Sequence, residues 1–161
     1  ALNSLPTLPV NKILEELNRI VKKIDLKRIK MSLVVSKITK DKVVLSSAAM
    51  PPVYFYNAKE KKCEEILIEG IPLGGLKNET YDILNKKFDK DDVLIMLSDG
   101  LPEAINKENE MYDYDRIKSF ILKNVTKSAE EIKDLLLKEL DLWMGGIVPD
   151  DDVTFVVVKK K

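Results

Sequence analysis

Histidine is missing from this sequence of 161 residues, cysteine occurs once and arginine only three times. Without histidine there is no imidazole for acid–base catalysis and none to ligate zinc. The single cysteine, Cys63, allows neither an internal disulfide nor a thiolate metal cluster, and it favours a reducing cytoplasm as the location. The scarcity of arginine disfavours an arginine clamp on phosphate. Any metal site must therefore use carboxylate and carbonyl oxygens, which are the ligands of hard cations such as Mg²⁺ and Mn²⁺.

Two further absences concern partners. Basic and acidic residues number 27 each, so the formal net charge is zero, and no apolar run approaches the length of a membrane-spanning helix. We therefore expect neither nucleic acid nor a membrane as a partner, since binding to either needs a clear excess of basic residues on one face of the protein. The composition, with 45% apolar and 34% charged residues, is that of one folded domain.

The pattern of apolar residues predicts an α+β fold with largely antiparallel sheets and helices packed outside them. Three helices are predicted: Asn11–Ile24, Asp115–Lys123, and a third that opens at a capping box of Ser128 and Glu131 and stops at Gly145-Gly146. Strands are predicted over Met31–Ile38, Lys42–Ala49, Val53–Tyr56, Glu65–Ile68, Val93–Leu97 and Val153–Val158. The first two strands form a hairpin.

Acidic residues stand beside two of these strands. Asp99 directly follows the buried strand Val93–Leu97, and Asp150-Asp151-Asp152 directly precedes the last strand. If the two strands are antiparallel neighbours, Asp99 and a later aspartate converge at one edge, where a divalent cation would neutralise their repulsion. Each motif also has a simpler interpretation, because Asp-Gly is a common turn pair and a run of aspartates often faces solvent or caps an element.

Five short segments follow one another along the chain: Pro9 with Leu17-Asn18, Ala48-Ala49-Met50-Pro51-Pro52, Ile71-Pro72-Leu73-Gly74, Ser98-Asp99-Gly100 with Glu103-Ala104, and Asp151-Asp152-Val153-Thr154. In sequence and in order they resemble the motifs of the PPM-type (type 2C-like) serine/threonine protein phosphatases of the bacterial stage II sporulation protein E and sigma-factor-regulator class. Ala49, Met50 and Asp91 depart from the family, which has Gly, His and Gly at these positions.

The resemblance implies a sandwich of two antiparallel sheets flanked by helices, with a two-metal centre of Mn²⁺ or Mg²⁺ that activates water for attack on phosphoserine or phosphothreonine. Asp99 and Asp151 would be catalytic metal ligands, and Gly100 would approach the metal through its backbone. The implied substrate is a phosphorylated regulatory protein of the anti-sigma antagonist type.

The family also supplies metal-ligand aspartates from an early Gly-Asp motif and an Asp-x-x-Gly-His-Gly segment, and neither motif occurs here. We therefore expect residues 1–161 to be the C-terminal part of one phosphatase domain, with little activity alone. We also expect the chain to dimerise or exchange segments through the strands between Met31 and Tyr56. Two alternatives stay open: a degenerate phosphatase-like domain that binds a partner without catalysis, and an unrelated carboxylate-rich cation-binding or structural domain.

Overall fold

The computed structural model describes residues 7–24 and 30–161. These residues contain helices α1 (Val10–Ile24), α2 (Asp113–Asn124) and α3 (Ala129–Met144), and strands β1 (Leu33–Ile38), β2 (Lys42–Ala48), β3 (Val53–Asn57), β4 (Lys62–Ile66), β5 (Leu84–Lys87), β6 (Val93–Leu97) and β7 (Phe155–Lys159). The strands form two antiparallel sheets, with orders β1-β2-β5 and β4-β3-β6-β7. None of the helices in the described part of the chain is long and apolar enough to cross a membrane.

The chain divides into two compact units, of which the first comprises Ala1–Met50 and Ile68–Phe88. Here α1 packs on β1 and β2. The helix buries an apolar stripe that contains one polar residue, Asn18, whose side chain accepts a hydrogen bond from the Gly74 N–H (2.8 Å) and donates one to the Leu76 carbonyl (3.0 Å). The predicted first helix and hairpin are confirmed, and Asn18 ties the helix to the glycine turn at Gly74.

The second unit comprises Pro51–Leu67 and Asp89–Lys161. Strand β6 is buried along its whole length, and α2 and α3 pack against its sheet and each other. The predicted capping box opens α3, since Ser128 accepts from the Glu131 N–H and the Glu131 carboxylate accepts from the Ser128 N–H. Gly145, in the left-handed conformation at φ +56°, ends the helix as predicted.

The strand predictions were wrong in three respects. Strand β4 runs over Lys62–Ile66 and not over Glu65–Ile68, because its register with β3 pairs Asn57 with Lys62 across a tight turn. Strand β5 was missed, since the sequence Leu-Asn-Lys-Lys has no apolar alternation and is extended only by pairing with β2. Strands β1 and β7 begin at Leu33 and Phe155, each two residues later than predicted.

Both family glycines that are replaced here occupy left-handed backbone. Ala49 has φ +56° and Asp91 has φ +67°. Aspartate tolerates this conformation, whereas alanine pays about 1–2 kcal/mol for the clash of its Cβ with the following carbonyl. The departures are thus local substitutions at turns whose backbone still has the conformation that glycine favours.

Asp92, beside Asp91, is a structural residue. Its side chain is 2% exposed, and its two carboxylate oxygens accept hydrogen bonds from the Ala58 and Asp89 N–H groups, each at 2.8 Å. These bonds satisfy a buried charge and fix the turn that leads into β6.

Candidate metal and catalytic site at the end of β6 and β7

Strands β6 and β7 are adjacent and antiparallel, as the sequence predicts, and the last residue of β6, Leu97, lies opposite the first residue of β7, Phe155. The segment that follows β6 and the segment that precedes β7 therefore leave the sheet at the same end. Asp99 lies on the first segment and Asp151 on the second.

Ser98 holds the two segments together. Its backbone N–H donates to the Thr154 carbonyl (2.8 Å), its hydroxyl donates to the Asp152 carbonyl (3.0 Å), and the same hydroxyl oxygen accepts from the Thr154 N–H (3.0 Å). A serine hydroxyl can donate and accept at once, so this one side chain replaces a rung of the sheet ladder. This explains why regular strand pairing starts only at Phe155.

Gly100 packs directly against the aspartate segment. A Cβ atom at this position would lie 2.6 Å from the Asp152 carbonyl oxygen and 3.2 Å from that of Asp151. Both neighbours are backbone atoms, which cannot move aside as a flexible side chain does. The absence of a side chain at Gly100 is therefore what lets the two segments lie in contact.

Both candidate ligands are exposed. The Asp151 carboxylate accepts through Oδ1 from the Asp152 N–H (2.7 Å). The backbone carbonyl of Asp99 accepts from the Glu103 N–H (3.0 Å), and this hydrogen bond closes a single turn directly after β6. Residues 148–153 line an open cavity of about 350 Å³. The cavity gives a small ion access to Asp151.

Two acidic residues near the end of β6, Asp99 and Glu103, affect the ionisation of Tyr114. Burial raises the pKa of the Tyr114 phenol above its ordinary value, and the negative charges of Glu103 and Asp99 raise it further.

The donor types at this site fit a hard divalent cation, because both side chains are carboxylates and the neighbouring backbone carbonyls are oxygen ligands. Their number is small: in residues 7–24 and 30–161, no group of three or more Asp, Glu or Cys side chains is arranged to hold a metal ion. Asp99 and Asp151 lie on adjoining segments, and on their own they supply only two carboxylates.

Asp99, Gly100 and Asp151 were predicted from the sequence, whereas the positioning role of Ser98 was not. The feature that could have indicated this role is the place of Ser98 at the end of an all-apolar strand, where a hydroxyl can substitute for a missing backbone hydrogen bond. Trp143 is a packing residue, since its ring contacts that of Tyr112 edge to face at 5.8 Å and its Nε1–H donates to the Ala104 carbonyl.

A family model described as stage II sporulation protein E (SpoIIE) matches residues 3–161. The phosphoserine phosphatase RsbU of Bacillus subtilis is 27% identical over the whole of this chain, which spans about half (49%) of that protein.

Solved structures show the same fold. The phosphatase domain of SpoIIE from Bacillus subtilis, presoaked with Mn, superposes with a TM-score of 0.66 at 20% identity, over 95% of this chain and 67% of that one. The SiaA-PP2C domain of Pseudomonas aeruginosa superposes with a TM-score of 0.79 at 14% identity, over 95% and 60%. The predicted fold class, two antiparallel sheets with helices of the PPM phosphatase type, is confirmed.

Proposed function

Because the chain belongs to the stage II sporulation protein E family, we propose that it forms the part of a Mg²⁺- or Mn²⁺-dependent protein serine/threonine phosphatase domain that supplies Asp99 and Asp151. The observation that carries this proposal is the junction of β6 and β7, where the Ser98 hydroxyl and the close approach of Gly100 bring the two aspartate segments together. If the aspartates served only as turn residues, neither contact would be required.

Each residue has a separate role in this proposal. The carboxylates of Asp99 and Asp151 would hold the cation, with a backbone oxygen at Gly100 as a further ligand, and the remaining positions would be left to water and substrate phosphate. A bound Mn²⁺ or Mg²⁺ would lower the pKa of a ligand water and neutralise phosphate oxygens. Ser98 would act as a positioning residue, because it fixes the spacing of the two segments without reaching the reacting atoms.

The substrate class follows from the family. RsbU, by its name a phosphoserine phosphatase, supports a phosphoserine or phosphothreonine side chain as the reacting group. We propose a phosphorylated regulatory protein of the anti-sigma antagonist type as the substrate, and the cytoplasm as the compartment. The net charge of zero agrees with recognition of a folded protein and not of a polyanion.

A second candidate function rests on the small ligand number. Two carboxylates seldom hold a strongly hydrated divalent cation tightly. A phosphatase-like domain that binds a partner without catalysis would keep this fold and lose metal affinity.

Metal binding separates the two proposals. Titration of Mn²⁺ into the chain, followed by the loss of the free-ion electron paramagnetic resonance signal, should show binding that Asp99→Asn and Asp151→Asn each weaken at least tenfold and that Asp150→Asn leaves within twofold. No measurable Mn²⁺ binding by any of the four proteins, or equal affinities for all of them, would favour the non-catalytic candidate.

A further inference from the structure

The chain that follows Asp99 and the helix that leads to Asp151 meet at a second point, apart from the junction of β6 and β7. The Nε1–H of Trp143, the penultimate residue of α3, donates to the Ala104 carbonyl at 3.1 Å. Ala104 belongs to the segment that begins at Asp99, and α3 is the element that directly precedes the Asp151 segment. The contact therefore links the two aspartate segments through the end of α3.

The backbone between Ser98 and Ala104 consists of overlapping turns. The Leu101 N–H donates to the Ser98 carbonyl (3.3 Å), and the Ala104 N–H donates to the Leu101 carbonyl (3.4 Å). The Glu103 N–H donates to the Asp99 carbonyl (3.0 Å). Leu101 and Ala104 are also buried in the core of the second unit. Because the segment is hydrogen-bonded along its length and buried at two positions, the place of the Ala104 carbonyl is coupled to that of Asp99.

The chain that leads from α3 to Asp151 is short. Beyond the last helical residue, Met144, the Ile147 N–H donates to the Met144 carbonyl (3.1 Å), which adds one turn to the helix end. Residues 148–150 alone separate that turn from Asp151. A shift of the end of α3 therefore moves the start of the segment that carries Asp151.

Lys107 makes a second contact between the same segments. Its Cε lies 3.0 Å from the point that a Cβ of Gly145 would occupy, and its ammonium lies 3.6 Å from that point. Gly145 caps the C-terminus of α3, where the helix dipole favours a positive charge. One side chain thus reaches from α3 to the loop (Trp143) and another reaches from the loop to α3 (Lys107).

The Ala104 carbonyl depends on the indole for one of its two hydrogen bonds. Its oxygen also accepts from the Tyr112 N–H (2.8 Å), so both lone pairs are used. Ala104 is 3% exposed. Without the indole N–H, one acceptor position of a buried carbonyl would be unsatisfied, which favours movement of the loop away from α3.

We propose that Trp143 is a positioning residue for the candidate metal site: its indole N–H holds the Ala104 carbonyl and thereby helps to set the separation of Asp99 and Asp151. Two segments that are joined at two points have fewer relative arrangements than two that are joined at one. Metal ligands depend on such outer hydrogen bonds for their orientation. The proposal rests on the proposed phosphatase function, which names what the two aspartates hold.

The indole N–H can be removed almost alone, because Trp143 is the only tryptophan in the sequence. Expression of the 161-residue chain in a tryptophan auxotroph fed with benzothienylalanine replaces this N–H by sulfur and keeps the fused rings. Trp143→Phe is a second variant that also removes the N–H. The matched control is Ser46→Ala, which removes another hydrogen bond from a side chain to a carbonyl, that of Asp82 (2.7 Å), in the other compact unit.

Hydrogen exchange tests the positioning without a metal. The Ser98 and Thr154 N–H groups donate across the junction of the two segments, at 2.8 and 3.0 Å. In both Trp143 variants these two amides should exchange roughly fivefold faster relative to the Ile95 amide in the middle of β6, the effect of one lost hydrogen bond. A general loss of stability would leave this ratio unchanged, as we expect for Ser46→Ala. An unchanged ratio in the Trp143 variants would overturn the proposal.

Metal affinity provides the second arm. In the full-length gene product, Trp143→Phe should raise the Mn²⁺ dissociation constant roughly three- to tenfold, measured by electron paramagnetic resonance, while Ser46→Ala stays within about twofold of the unaltered protein. Equal affinities for Trp143→Phe and Ser46→Ala would overturn the proposal. If the unaltered protein bound no Mn²⁺, the proposed function would fail, and the exchange ratio would still decide whether Trp143 positions the two segments.

Discussion

Replacing Gly100 by alanine tests the contact on which the candidate site is built. The added Cβ would lie 2.6 Å from the Asp152 carbonyl oxygen and 3.0 Å from its carbonyl carbon, so the aspartate segment must move away. Overpacking of this kind costs about 1–3 kcal/mol, and movement of the segment also strains the three Ser98 hydrogen bonds, each worth about 1 kcal/mol. We therefore expect Gly100→Ala to lower the free energy of unfolding by about 2–4 kcal/mol.

Urea denaturation followed by circular dichroism measures this loss, and the thermal midpoint should fall by roughly 2–4 °C per kcal/mol for a chain of this size. The control is Gly146→Ala, where no atom lies within 4 Å of the added Cβ and only the left-handed backbone (φ +93°) resists the change. That substitution should cost about 1 kcal/mol. If Gly100→Ala is no more destabilising than Gly146→Ala, the segments at Gly100 and Asp152 are not in contact and the reasoning fails.

Three other predictions concern pH, helix capping and catalysis. Burial raises the pKa of the Cys63 thiol from 9.0 to about 11, so between these values the unfolded chain loses a proton that the folded chain keeps. The free energy of unfolding should therefore fall by up to about 1.4 kcal/mol per pH unit as pH rises from 9 to 11. In urea titrations over this range, Cys63→Ala should show a shallower decline, and identical slopes for the two proteins would contradict the prediction. Lys159→Met removes two hydrogen bonds to carbonyls just after α2 and should lower the free energy of unfolding by about 1–2 kcal/mol, whereas an unchanged urea midpoint would show that they contribute nothing. The 161-residue chain with Mn²⁺ should turn over p-nitrophenyl phosphate barely above background, and robust hydrolysis would show that two carboxylates suffice.

The sequence predicted most elements wherever a local signal decides the structure. The apolar run Val93–Leu97 was placed to the residue, and the capping box of Ser128 and Glu131 located the start of α3. Strand β5 could not be found this way, because its extended form depends on pairing with β2 and not on its own residues. The shift of β4 has the same origin, since hairpin register and not apolar content sets its bounds.

The candidate site was predictable in its aspartates but not in its supports. Asp99 and Asp151 could be chosen because each adjoins a strand, and their motifs resemble those of a known family. The triple hydrogen bonding of Ser98 and the exclusion of a side chain at Gly100 depend on which segments meet in space. Asn18 is a similar case: its motif position was recognised, but its two bonds to the glycine turn emerge only from the folded chain.

The most direct test of the account is the hydrolysis of a phosphoserine protein by the full-length gene product carrying Asp99→Asn, Asp151→Asn or Asp150→Asn. The first two substitutions keep side-chain size but remove a negative charge from a proposed ligand, so each should abolish Mn²⁺-dependent turnover while the thermal midpoint stays close to that of the unaltered protein. Asp150→Asn should be mild in both measurements. Near-normal turnover by Asp99→Asn and Asp151→Asn at saturating Mn²⁺, or equal small effects at all three positions, would contradict the catalytic assignment and leave the aspartates as turn residues.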